Sequence, residues 1–285
     1  MFPATFHKTR LAPTPSGFLH IGNVFSFALT AAMARRTGAK ILLRIDDMDR
    51  QRALPEYIDD IFETLDFLNI PFDEGPKNTD EFEMAFSQRH RIDLYNEALE
   101  KLVKTGLVYA CDCSRKQINK LHAGIYPGTC KHKRIPLNAA DVSWRINTEM
   151  ARMVRLNKTT FVPFPVEMQH FAVRKKDGFP AYQLTSVIDD LHYGIDLVVR
   201  GEDLFASTLA QLFLAQVLGE VRFADIYFHH HKLLTDGDRK MSKSAGDTSI
   251  QYLRKNGKTA GEIFESIGLQ VGIRLEKWED FVQLT

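Results

Sequence analysis

Three groups of residues in this chain have types and spacings that can do chemistry. The first is the run Arg10-Leu11-Ala12-Pro13-Thr14-Pro15-Ser16-Gly17-Phe18-Leu19-His20-Ile21-Gly22-Asn23, a turn rich in Pro and Gly that sets His20 where a helix is about to begin. A helix N-terminus offers N–H groups without intrahelical partners and a partial positive charge, so phosphate binds there readily. Gly22 would let a nucleoside approach the backbone where a side chain would block it. The second group is Lys240-Met241-Ser242-Lys243-Ser244, in a polar loop with Asp236, Gly237, Asp238, Gly246 and Asp247. Two lysines on a closing loop would neutralise pyrophosphate as its charge develops in the transition state. The competing reading of those five residues is a solvated lysine-rich turn. The third group is Cys111, Cys113 and Cys130, the chain's three cysteines. An odd count clustered in one stretch does not suit a disulfide framework and suits a metal site better. Zinc takes four ligands, so three thiolates need one more donor. His122 or His132 is the generic choice, and three reduced cysteines without metal is the alternative.

The run His229-His230-His231 also invites a metal reading. It follows an apolar strand, however, and consecutive strand residues point to opposite faces, so the three rings do not easily converge on one ion.

These groups need a scaffold. The chain has 285 residues, 44% of them hydrophobic, enough for one or two domains with a sizeable core. Its 37 basic and 36 acidic residues leave a net charge of +1, so any contact with nucleic acid must be a local patch. There is no apolar stretch of membrane-spanning length and no signal-peptide core near Met1, which leads to the expectation of a soluble cytoplasmic protein. Thr9 to Ala12 reads as a strand end and Asn23 to Arg36 as a helix. Ile41 to Ile45 reads as a buried strand and Pro55 to Leu68 as an amphipathic helix. That alternation predicts a parallel sheet with right-handed crossovers. Arg89 to Thr105 reads as a further helix. Short strands and turns follow from Val142 to Leu184, with a hairpin around Asp177-Gly178. Asp196 to Arg200 resumes a buried strand. Ser207 to Leu218 reads as a helix with Ser207 or Thr208 as its N-cap, and Ile226 to His229 as a strand.

The His20 and Lys240 segments, in this order, resemble the HIGH and KMSKS signatures of class I aminoacyl-tRNA synthetases. Further matches lie at Arg44-Ile45-Asp46-Asp47-Met48-Asp49, Ala181-Tyr182-Gln183-Leu184, Val187-Ile188-Asp189-Asp190 and Arg200-Gly201-Glu202-Asp203-Leu204. They run from Arg10 to about Gly246 and are similar to the glutamate-activating branch. The resemblance implies an α/β fold, a Rossmann-type doubly wound parallel sheet. Residues 1–105 would form its first half, 106–180 an inserted zinc-bearing subdomain, and 181–246 its second half. Residues 247–285 would be a short helical segment, with no anticodon-binding domain.

The resemblance further implies that glutamate is held by Arg10, Leu11, Ala12, Pro13, Thr14, Asp46, Tyr182 and Arg200. ATP, with Mg2+, would be held by His20, Gly22, Asn23 and Lys243, and catalysis assisted by His20, Lys240 and Lys243. One of the histidines 229–231 would lie at the ATP edge. The family carries Glu where this chain has Asp46, one methylene or about 1.5 Å shorter, and glutamate with an adjusted contact is the favoured consequence. Arg44 is expected in an ordinary ion pair, for example with Asp47, and Asp189 and Asp190 are expected to support the fold rather than act as catalytic acids. The short glutamyl-queuosine tRNA(Asp) synthetases carry a structural zinc on a CxC, Tyr, Cys pattern, which implies Cys111, Cys113, Tyr126 and Cys130 here. The implied partners are L-glutamate, ATP and tRNA(Asp) carrying queuosine, for a monomer with no membrane association. A paralogue loading another acceptor is the alternative, and a non-catalytic tRNA- or nucleotide-binding relative is the alternative of a different class. Adenylate formation separates enzyme from binder, and the acceptor's identity separates the two enzymes.

Overall fold

The computed structural model describes residues 5–122, 124–236, 239–240 and 249–285. In chain order the elements are β1 (Lys8–Leu11), α1 (Ile21–Thr37), β2 (Lys40–Leu43), α2 (Pro55–Phe67), the single turn α3 (Thr79–Glu81), α4 (Ile92–Lys104), β3 (Val108–Cys111) and α5 (Arg115–His122). There follow β4 (Ser143–Ile146), β5 (Met153–Leu156), β6 (Thr160–Pro163), β7 (Ala172–Arg174), α6 (Tyr182–His192), β8 (Leu197–Gly201), α7 (Phe205–Leu218), β9 (Tyr227–His231), β10 (Thr235–Asp236), β11 (Arg239–Lys240), α8 (Ile250–Lys255) and α9 (Ala260–Val271). Two compact units result. One comprises Met1–His90, Ile195–Glu202 and His229–Thr285, the other Arg91–Gly194 and Asp203–Phe228. No helix among the described residues is long and apolar enough to cross a membrane.

In the first unit β1 and β2 pair in parallel, with Arg10 opposite Leu42. A parallel pair needs a crossover, and α1 supplies it. The Asp196 amide, just before β8, donates to Lys8 O at 3.0 Å and brings β8 alongside β1. β8 in turn pairs with β9. α1 is buried nearly all round, with Val24, Ala28 and Ala31 fully enclosed. The sheet covers one side, and the 3-10 turns of Trp278–Leu284 pack against the helix as well. Phe281 sits between Phe25 and Phe264, ring centroids 5.7 and 5.9 Å away. Burying such a side chain contributes about 1.5–3 kcal/mol, so the C-terminal residues complete this core.

α1 begins two residues before the expected Asn23, because His20 adopts the extended N-cap conformation and its N–H donates to Asn23 Oδ1 at 3.0 Å. It ends at Gly38, whose φ of 76° gives the left-handed turn that stops a helix.

The second unit holds the antiparallel sheet β3-β4-β7, the β5-β6 hairpin and helices α4 to α7. The turn at Asp177-Gly178 forms as expected, closed by Lys175 N–H to Phe179 O at 2.8 Å. The expected cap of α7 does not form. That helix starts at Phe205, where the Thr208 hydroxyl donates to Leu204 O at 3.2 Å and Ser207 accepts from Gln183 Nε2 at 3.0 Å. The helix expected from Arg89 is also shorter, since Gln88–Arg91 form a 3-10 turn and α4 begins at Ile92. The Gln88 amide is engaged by Asp47 and the Arg91 guanidinium by Asp189, which holds that turn tight.

Candidate active site and thiol cluster

The strand pairing of β1 and β2 continues past both strands. Arg44 N–H donates to Leu11 O and Asp46 N–H to Pro13 O, each at 2.9 Å. Leu11, Ala12, Pro13 and Thr14 therefore run beside Arg44–Asp46, next to buried Arg10 on β1. Arg10 and Arg200 are 5% and 4% exposed, two enclosed guanidinium groups on neighbouring strands. Planar guanidinium groups are suited to bidentate contact with a carboxylate.

Asp46 differs from its sequence expectation. Arg44 Nε meets its Oδ1 at 2.7 Å and Arg44 Nη2 its Oδ2 at 3.2 Å, with both side chains buried. Arg44 thus pairs with Asp46. Asp47 is committed elsewhere, to Arg50 at 2.8 Å, the Ser87 hydroxyl at 2.6 Å and the Gln88 amide at 2.8 Å.

His20 stands at the start of α1, where the helix dipole favours an anion. Gly22 has an intramolecular reason to be glycine: a Cβ there would lie 2.9 Å from His20 Cε1. On β9, burial and then the Arg200 charge push His230 down to about 3, and burial with His231 lowers His229, so both rings are neutral near pH 7. His231 meets Phe25 edge-on at 4.8 Å and its Nδ1 lies 2.9 Å from Lys232 O.

Tyr182 opens α6 in the second unit, 42% exposed. In the same unit Asp189 is fully buried and bound by Arg91 at 2.8 Å and the Tyr95 hydroxyl at 2.6 Å, tying α4 to α6. The Lys240 backbone pairs with Thr235 across β10 and β11. The Lys240 side chain and Lys243 lie outside the described residues.

The thiols of Cys111, Cys113 and Cys130 lie within 4.8 Å of one another and form the one such cluster of His, Cys, Asp or Glu donors among the described residues. β3 supplies Cys111, and the turn after Tyr126 returns Cys130. The Tyr126 hydroxyl accepts from Cys111 Sγ at 3.3 Å and from the Cys130 amide at 2.8 Å, so its oxygen faces the thiols. His132 is exposed and outside the cluster, and the His122 side chain lies outside the described residues. Burial pushes the Cys111 thiol up, but the Tyr126 and Cys113 hydrogen bonds and the Arg145 charge outweigh it and leave it below the ordinary value. Burial raises Cys113 to about 11. Three sulfurs and a phenol oxygen make a donor set that suits a tetrahedral zinc.

Sequence reasoning missed Arg145, whose guanidinium lies 4.0 Å over the Tyr126 ring, and His170, packed against Gly128 and Tyr126. It also missed Asp60, a 1%-exposed carboxylate on α2 whose Oδ2 accepts the Leu19 amide. No motif marks these three. Their roles come from segments distant in the chain.

A parallel βαβ core with a helix N-terminus beside the end of its first strand defines an α/β protein of the Rossmann type. Residues 7–285 match the family described as tRNA synthetases class I (E and Q), catalytic domain. The glutamyl-Q tRNA(Asp) synthetase of Nitratidesulfovibrio vulgaris is 34% identical over 93% of this chain and 86% of that protein. That of Dechloromonas aromatica is 36% identical over 83% and 78%. Glutamate–tRNA ligase 2 of Syntrophus aciditrophicus is 32% identical over 89% of this chain but 55% of its own length. The crystal structure of glutamate-tRNA synthetase from Elizabethkingia anophelis shares the fold, with a TM-score of 0.75 at 20% identity. It is matched over 97% of this chain and 65% of its own, so this chain spans just under two thirds of that solved protein. The chain belongs to the class I tRNA synthetases of the E and Q type.

Proposed function

We propose that this protein activates L-glutamate with ATP and transfers it to the queuosine base of tRNA(Asp). The observation that carries this reading is its identity of 34–36% to glutamyl-Q tRNA(Asp) synthetases over most of both chains. The convergence of Cys111, Cys113, Cys130 and Tyr126 accords with it.

In the first step an α-carboxylate oxygen of glutamate attacks the α-phosphorus of ATP. The bond to the β-phosphate's bridging oxygen breaks, giving glutamyl-adenylate and pyrophosphate. His20, Gly22 and Asn23 at the head of α1 hold ATP, whose charge Mg2+ partly neutralises. Lys243, assisted by Lys240, stabilises pyrophosphate as it leaves. Arg10 and Arg200 bind the side-chain carboxylate of glutamate beside the backbone of Leu11–Thr14, and Tyr182 is assigned a hydroxyl contact to the substrate. Asp46 is assigned the α-ammonium, with a contact adjusted for its shorter side chain. In the second step a hydroxyl of queuosine's cyclopentenediol attacks the acyl carbon, its proton is lost and AMP departs. No enzyme nucleophile is needed.

Zinc on Cys111, Cys113, Tyr126 and Cys130 would fix the inserted subdomain of residues 106–180 and take no part in either step. Work in the cytoplasm follows from the same reading.

ATP–pyrophosphate exchange against a panel of amino acids without tRNA tests the first step. Exchange with glutamate alone is the expected result. Exchange with a different amino acid would reassign the pocket around Asp46, and exchange with none would refute tRNA-independent activation.

A further inference from the structure

α2 carries a buried carboxylate that the chemistry above does not use. Asp60 is 1% exposed, and its Oδ2 accepts the Leu19 amide at 3.3 Å. Its Oδ1 lies 3.8 Å from the Arg254 guanidinium of α8, which also binds Glu63 one turn further along α2. Leu19 is held at its other backbone group too: the Ile250 amide donates to Leu19 O at 2.8 Å. An isolated antiparallel bridge joins His20 to Ser249. The residue before His20 is therefore gripped by α2 on one side and by the first turn of α8 on the other. α8 is the helix that follows the Lys240–Ser244 motif in sequence.

We propose that Asp60 is a positioning residue: through the Leu19 amide and Arg254 it fixes the His20 turn against the first turn of α8, setting where ATP is held. The chemistry argues for a functional reason to keep it. Burial raises Asp60 above the usual carboxylate range, against the opposing pull of the Leu19 amide and Arg254. Burying a carboxylate costs the fold stability that a neutral isostere would not. A group retained against that cost, one residue from His20 and facing a cation on α8, does something other than hold the core. Small displacements at a reacting centre are expensive, about 100-fold in rate for about 1 Å.

The inference rests on the ATP-dependent activation proposed above, and the experiment separates the two. Pyrophosphate exchange with glutamate is measured for the wild type, Asp60→Asn, Arg254→Met and the double variant. Melting temperature and deuterium uptake over residues 249–253 are measured on the same samples. The expected result for Asp60→Asn is an ATP KM raised by about tenfold or more with kcat also lowered, faster uptake over 249–253, and a Tm at or above that of the wild type. Arg254→Met should reproduce the kinetic effect, and the double variant should add little to either. Should Asp60→Asn fail to fold, Arg254→Met carries the same comparison. Wild-type kinetics and uptake in Asp60→Asn would overturn the proposal, as would a loss of activity that merely follows a lowered Tm. A wild type inactive in exchange would instead refute the activation reading, and unchanged uptake in Asp60→Asn would then still overturn the coupling.

Discussion

Arg44 and Asp46 form a buried fork-to-fork ion pair, with Nε to Oδ1 at 2.7 Å and Nη2 to Oδ2 at 3.2 Å. The Arg44 and Asp46 side chains are 2% and 9% exposed, so the pair is closed off from solvent. Arg44→Met would break this buried ion pair, a change that costs about 3–5 kcal/mol. Urea denaturation should show a midpoint lowered accordingly. Asp46→Ala should raise the glutamate KM about 10–100-fold, the value of one charged hydrogen bond, with the ATP KM nearly unchanged.

The thiol cluster predicts one bound zinc. Cys111→Ser, Cys113→Ser and Cys130→Ser should each lose stoichiometric metal, measured by atomic emission on the purified protein. Tyr126→Phe should weaken retention against a chelator, because its hydroxyl oxygen faces the thiols. His132→Ala should retain metal like the wild type, since His132 lies outside the cluster. Metal loss in His132→Ala with full retention in Tyr126→Phe would reverse the assignment of the fourth ligand. Zinc removal should also destabilise the region between Cys111 and Cys130, visible as faster deuterium uptake there.

The pH dependence has a definite sign. His230 is lowered from 6.5 to about 3 by burial and by Arg200, and His229 is lowered as well. The unfolded chain therefore takes up protons at a higher pH than the folded one. Stability from these neutral rings is fully present above about pH 6.5 and is lost progressively as the pH falls from there toward about 3. His230→Asn should flatten that part of the stability profile. An unchanged slope between pH 6.5 and 4 would remove His230 as its cause.

The phosphate-handling residues make a kinetic prediction. Removing a preorganised charge at a developing anion costs about 100–1,000-fold in rate. Lys243→Ala and His20→Ala should each reduce pyrophosphate exchange by that order. Retained exchange in Lys243→Ala would take that lysine out of the mechanism.

Much of this was legible in the sequence where the signal is local. The alternation of apolar runs located β1, α1, β2 and α2 to within a few residues, and the Pro- and Gly-rich turn before His20 marked the head of α1. The spacing of Cys111, Cys113 and Cys130 foretold a cluster. What the sequence hid depends on partners far along the chain. Asp60 falls away from the main apolar stripe of α2 and is buried because α8 covers it, a fact no local periodicity holds. Arg44 grips Asp46, and Asp47 is bound by Ser87 and Gln88, partners that lie far along the chain. Ser207 and Thr208 looked like caps, yet they lie inside α7 because the preceding 3-10 turn Glu202–Leu204 already leads into the helix.

The most direct test of the central claim is transfer of radiolabelled glutamate to tRNA(Asp) with and without queuosine, using ATP and the purified protein. Label on queuosine-bearing tRNA(Asp) alone, released with the modified nucleoside after nuclease digestion, is the predicted result. Label on the 3′-terminal adenosine of unmodified tRNA, or none on queuosine, would contradict it.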